Sequence, residues 1–318
     1  MASAASICAL RCLALAALCA ALGALLPAET VAQGMRSHPL PKGPRPLHEI
    51  AASADAIAIG TIASVSEGRI RVHDAIDVSG AVPADFDVKR APSNPPVFQS
   101  GDRALLFLRG ARPPYLLTDD PKENLVIPAS GEVQWILAMR AFADARHDPA
   151  QLRTLYFEWI DGEDGTLRDL GVRGLADPAA PFQPISTDLL TERARRAVDP
   201  ATASEVRRAC ASVALLSAES YARLLRDVLQ PGTAVDAGVY ETALQGALLQ
   251  HGDPPEFSAA LGRGLRSGEA AVRAVAVRYA TNVPDPGLAN EVERLAQQDP
   301  DPGVRQAAAR ALATQRER

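Results

Sequence analysis

Asp299-Pro300-Asp301-Pro302-Gly303-Val304-Arg305-Gln306-Ala307-Ala308-Ala309-Arg310-Ala311-Leu312 reads as a turn, a helix start and a stripe of small apolar residues. The same valine-led pattern stands earlier, at Val206-Arg207-Arg208-Ala209-Cys210, Val239-Tyr240-Glu241-Thr242-Ala243 and Val272-Arg273-Ala274-Val275-Ala276. The leading valines are 33, 33 and 32 residues apart. Between them, large apolar residues fall about four apart: Tyr221, Leu225, Leu229; then Phe257, Leu261, Leu265; then Leu288, Val292, Leu295. A recurrence of this length, helical in both halves, predicts stacked hairpins whose apolar stripes are covered only by their neighbours.

The closing unit resembles the HEAT repeat, and the resemblance covers about Ser186 to Thr314, with weaker coverage back to Val133. The signatures of tetratricopeptide and ankyrin repeats are absent. In HEAT repeats an aspartate before the helix and an arginine after the valine bind between neighbouring units, which implies Asp299 and Arg305 here. Arg207 and Arg273 lack an aspartate at the same offset and Tyr240 replaces the arginine, so an incomplete ladder is implied. Upstream, helical period predicts one pair at Val133–His147 and Pro149–Ile160, and another at Asp164–Ala176 and Ser186–Val198.

Before Pro128 the apolar period is two. Ala56 to Val65 is a continuous apolar strand broken by Gly60; after Gly68-Arg69, Ile70, Val72, Ile76 and Val78 alternate with polar residues, which predicts a hairpin. Asp74 falls on the inward phase, where a bulge or early exit is expected. Short runs at Phe86–Val88, Ala104–Leu108, Tyr115–Leu117 and Leu125–Ile127 complete five or six strands, enough for a small barrel of oligonucleotide/oligosaccharide-binding type. Ile59-Gly60-Thr61-Ile62 with Ser100-Gly101-Asp102-Arg103-Ala104-Leu105-Leu106-Phe107-Leu108 resembles the barrel domain of uncharacterised exported bacterial proteins, related in fold to the tissue inhibitors of metalloproteinases.

Arg11, the apolar run Cys12–Leu26, Pro27 and the small-residue exit Thr30-Val31-Ala32 have the three-part order of a secretory signal peptide. The run is too short to span hydrocarbon. Cleavage after Ala32 would remove Cys8, Cys12 and Cys19 and leave Cys210, on the apolar side of its helix, as the one thiol. Cys19, preceded by Ala16-Ala17-Leu18, fits a lipid-anchor signal badly. The expected organisation is therefore 1–32 signal peptide, 33–47 extended tether, 48–130 small barrel and 131–318 helical repeats. Its fold class is α+β multidomain, an OB-like β-barrel followed by an all-α HEAT-type solenoid.

The 318 residues carry a net charge of −5 and a pI near 5.6, and residues 186–318 hold 16 Arg against 17 Asp plus Glu. No basic groove for nucleic acid is expected. Arginine outnumbers lysine 30 to 3, a bias that points to a GC-rich genome and lowers the weight of any single arginine. His38, His48, His73, His147 and His251 have no second ligand at metal spacing, and His48-Glu49 lacks the second histidine of a zinc protease helix. Lys42, Lys89 and Lys122 sit in no phosphate-binding glycine loop. Glu158, Asp161, Glu163 and Asp164 surround two glycines, but Val172 stands where a calcium loop needs glutamate, so a solvated turn is expected.

No cofactor and no catalytic constellation is expected. The expected function is a non-catalytic, exported scaffold, periplasmic or extracellular, that takes a protein partner on its second helices, with Arg223, Asp227, Arg263, Glu291 and Arg294 facing a groove. Tyr221, Phe257 and Tyr279 are read as core. The alternative, a protease inhibitor by analogy with the barrel, lacks the inhibitory Cys-x-Cys at the mature N-terminus, where Gln33 is expected.

Overall fold

The computed structural model describes residues 45–89, 98–117, 125–128, 131–246 and 255–316. The expected signal peptide with Cys8, Cys12 and Cys19, the tether up to residue 44, and His38, Lys42, Lys122 and His251 lie outside the described residues.

Six strands form the first part: β1 (Ala56–Ser66), β2 (Arg69–Ser79), β3 (Phe86–Lys89), β4 (Arg103–Arg109), β5 (Tyr115–Leu117) and β6 (Leu125–Val126). β1 pairs antiparallel with β2 and β4, β2 with β3, and β4 with β5, while β3 and β5 run parallel. The order 1-2-3-5-4-1 closes a five-stranded barrel, with β6 added beside β4. Closure pairs the strand edges that would otherwise lie open. β1 and β4 are apolar on both faces for a reason. Ala58, Ile62, Leu106 and Leu108 fill one cluster with Ile70, Val72, Phe86 and Tyr115, whereas Ile57, Ile59, Leu105 and Phe107 pack into the cluster shared with the helices.

The expected irregularity at Asp74 is a bulge. Ile59 faces Ile76 but Thr61 faces His73, so the β2 side carries two residues against one. Asp74 takes φ 50°, and its carboxylate turns outward to His73 Nδ1 at 2.6 Å. Short helix α1 (Leu47–Ala52) precedes the barrel and buries Leu47, Ile50 and Ala51, so the extended tether ends before Leu47.

The helices that follow are α2 (Glu132–Ala145), α3 (Pro149–Asp161), α4 (Gly165–Ala176), α5 (Thr187–Val198), α6 (Ser204–Ala214), α7 (Ala218–Asp227), α8 (Ala237–Gly246), α9 (Pro255–Leu265), α10 (Ala270–Ala280), α11 (Pro286–Gln298) and α12 (Pro302–Arg316). Their starts are written in the sequence. Asp148, Asp164 and Asp285 each accept two backbone N–H groups of the first turn, and Pro149 and Pro286 fill positions that have no N–H to satisfy.

Two layers result. Helices α4, α6, α8, α10 and α12 pack one after another in the first, and α5, α7, α9 and α11 in the second. One apolar cluster runs from α1 and the outer barrel face to Ala308 of α12. Helix α7 is shorter than the spacing of Tyr221, Leu225 and Leu229 predicts: it ends at Asp227, Val228 is extended, and Leu229 turns away at φ 62°.

Candidate functional site

Between units, the first-helix layer is held by carboxylates. Asp299, 1% exposed, accepts Nε and Nη2 of Arg273 at 2.7 and 2.8 Å, a bidentate pair across adjacent units. Asp236, before α8, accepts the Ser204 hydroxyl and Arg207 Nη2 from the unit before it while capping Gly238 and Val239. Asp164 caps α4 and accepts the Trp135 indole N–H at 3.1 Å.

The incomplete ladder therefore needs redrawing. Each arginine reaches the aspartate of the following unit, so judging Arg207 and Arg273 by an aspartate in their own unit misses their partners. Arg305 instead donates to the Asp299 and Pro300 carbonyls six and five residues back, as Arg273 does to Ser267 and Gly268 and Arg168 to Gly162 and Glu163. Among the described residues an arginine–aspartate pair of this kind is missing between α4 and α6 and again between α8 and α10. Between α8 and α10, Tyr240 stands in place of the arginine, and Glu269, without a side-chain cap, in place of the aspartate. Tyr240 fills the space differently: its buried hydroxyl donates to the Ala260 carbonyl at 3.1 Å, and Gly264 leaves room for its ring.

The second-helix layer carries the five residues expected to meet a partner, and they do not form a uniform exposed set. Arg223 lies 3.2 Å from Asp227 one turn along α7, both partly buried. Glu291 and Arg294 form a two-bond pair on α11, which holds the Glu291 carboxyl below the usual carboxylate range against the effect of burial. Arg263 is not free to face a groove. Its guanidinium is partly buried and donates to the Val228, Leu225 and Arg226 carbonyls, satisfying the end of α7 from the next unit. The exposed charges of this layer include Arg226, Arg266, Glu293 and Arg294, together with Asp188, Glu192 and Arg195 on α5 and Glu219 on α7. Tyr221 and Phe257 are core, as expected; Tyr279 is only partly buried.

The remaining candidates resolve as follows. His48 is brought onto Asp177 at 2.8 Å through Nε2 and onto the Tyr156 hydroxyl at 3.1 Å through Nδ1, with Phe182 at its edge. No sequence spacing announces this trio, whose members lie on three separate segments; it pins α1 to α3 and to the end of α4. Cys210 is fully buried, and burial pushes its thiol up although Arg193 at 4.0 Å and Arg196 pull it down. Asp161 of the acidic turn pairs with Arg193 and Arg196, leaving Glu158 and Glu163 exposed. Among the described residues, no three His, Cys, Asp or Glu side chains gather as a metal site, and no helix is long and apolar enough to cross a membrane.

With this geometry in view, the protein is a small β-barrel followed by a HEAT-like helical array. Residues 258–317, from α9 through α12, match the model for HEAT repeats. Neither curated proteins nor solved structures give a match.

Proposed function

We propose that this protein is an exported, non-catalytic scaffold that holds a protein partner on the second-helix layer of its array. The observation that carries the reading is a set of exposed, mixed charges, Arg226, Arg266, Glu293 and Arg294, on or directly after helices repeated at a fixed spacing. A repeated helical face presents an extended surface to which each unit adds a few contacts. Exposed pairs of this kind are worth about 0–1 kcal/mol each, so the partner is held by many contacts and released by salt. Helical arrays matching HEAT repeats fit protein interaction, and that match supports the reading.

The test is capture of envelope proteins by the full chain, with bound proteins identified by mass spectrometry. Replacing Arg226, Arg266 and Arg294 together by glutamate is expected to abolish capture of the specific partner, and raising salt to weaken it in the unaltered protein. Capture that survives both would sink the assignment. Amino-terminal sequencing of the secreted chain checks export, with Gln33 expected first.

A further inference from the structure

A second surface lies away from that layer, where α2 meets α3. Val133 and Leu137 stand one turn apart on α2 and are 71% and 61% exposed, the two most exposed large apolar side chains among the described residues. Ala141, also exposed, continues their stripe by another turn. Beside it runs a cleft of about 310 Å³ whose walls include Leu137, Ala138 and Ala141 of α2 and Leu155, Glu158 and Trp159 of α3. A neighbouring cleft of about 370 Å³ shares Leu155 and Glu158 and continues to Ala145, Ala150 and Thr154. The two clefts meet at Leu155 and Glu158, and the α3 residues that wall this groove run from Ala150 to Trp159, roughly 14 Å at 1.5 Å per residue.

Its charge is one-sided. Although the chain has 30 arginines, none lines either cleft, and neither does a lysine. The only charged walls are Glu158 and Asp164, and Asp164 already caps α4 and binds the Trp135 indole. Glu158 is exposed and is left as the one carboxylate available to a visitor.

We propose that this groove docks an amphipathic helix of another protein, with apolar residues at i, i+4 and i+7 laid along Leu137 and Leu155 and a lysine or arginine set against Glu158. The proposal rests on the reading of the protein as a binding scaffold but uses a separate surface. A groove more than two turns long, with Leu137, Ala138, Ala141 and Leu155 among its walls, fits a helix better than a flat protein face. Contiguous exposed apolar side chains are the usual mark of such an interface. The acidic wall selects the sign of the flanking charge.

The probe is a fluorescein-labelled 18-residue helical peptide with leucines on one face and lysines flanking them, titrated with the full chain and followed by anisotropy. Two controls accompany it: the same composition with the leucines dispersed, and the patterned peptide with glutamate for lysine. The patterned lysine peptide is expected to bind at least tenfold tighter than either. Leu137→Asp should weaken it at least tenfold, and Glu158→Lys should reverse the preference in favour of the glutamate peptide. Both positions are exposed, and unchanged circular dichroism and melting verify that the variants fold; Leu137→Gln replaces Leu137→Asp should the latter melt early.

Equal binding of the dispersed peptide, or indifference to both substitutions, overturns the proposal. So does sedimentation showing a dimer that Leu137→Asp dissociates, because a second copy would then be the occupant. The Arg226/Arg266/Arg294→Glu variant should bind the peptide normally. Peptide binding that fails while envelope capture persists therefore removes the groove alone, and the reverse removes the charged layer alone.

Discussion

The Arg273 guanidinium closes both arms of its fork on the buried carboxylate of Asp299, 26 residues on and one unit further along the array. Desolvating these two ions is costly, and only their mutual geometry and the Ser267 and Gly268 carbonyls on the other arginine donor offset it. Asp299→Ala strands the arginine and should destabilise the protein by about 3–5 kcal/mol, read as a fall in the urea midpoint. Replacing both residues by leucine and methionine should cost far less, because no buried charge is left unpaired. Equal losses for the single and double replacements would contradict this.

Acid should act through the same residue. Arg273 holds the Asp299 carboxyl below its ordinary value, and burial alone, which would raise it, does not prevail. A depressed carboxylate contributes stability that is present above the unfolded value near 4 and is lost as pH falls through the folded value. Asp236 has the same sign: burial raises it, but the Ser204 hydroxyl, the Val239 and Gly238 N–H groups and Arg208 bring it below normal. The urea midpoint should fall progressively below about pH 5. Asp299→Asn should start lower and lose less on acidification, measured between pH 6 and pH 3.

Two glycines on α9 should respond oppositely to alanine. At Gly264 a methyl group would overlap the Tyr240 hydroxyl, whereas at Gly262 it would meet only the flexible tip of Arg266 at 3.2 Å and Leu288 at 3.9 Å. Gly264→Ala should cost about 1–3 kcal/mol despite its better helix propensity. Gly262→Ala should be neutral or stabilising by up to about 1 kcal/mol. Adding Tyr240→Phe to Gly264→Ala should restore part of the loss, and the set is read by thermal melting.

His48 ties the short helix before the barrel to the helical part through Asp177 and Tyr156. His48→Ala leaves the nearly buried Asp177 carboxylate without its ring partner and should cost about 1–3 kcal/mol. Amide exchange should rise locally, over residues 47–52 and 177–183. A uniform rise across the array, or none, would show that the trio is not a local pin.

Elements that depend on near neighbours were legible in the sequence. Alternation located the strands, the inward phase of Asp74 announced its bulge, and the valine spacing announced the hairpins. Interactions between units were not. Arg263 looks like a solvent-facing helix residue, and only the arrival of the α7 carbonyls from another unit engages its guanidinium. Leu229 keeps the spacing of a helical stripe, but the chain has already left the helix at Asp227. His48 and Asp177 lie 129 residues apart, beyond any spacing rule. Val133 and Leu137 belong to a helical period, which cannot tell a covered face from an open one.

A linear array transmits load through its successive interfaces, so its strength is set by the weakest of them. Among the described residues no buried ion pair crosses between α8 and α10, and the outlying Arg278–Glu241 bridge is open to solvent. Pulled from its ends or strained by a partner that bends it, the array should part there before it parts between α10 and α12. Helices α10 to α12, stapled by Arg273 and Asp299, would come away as one piece from those before them.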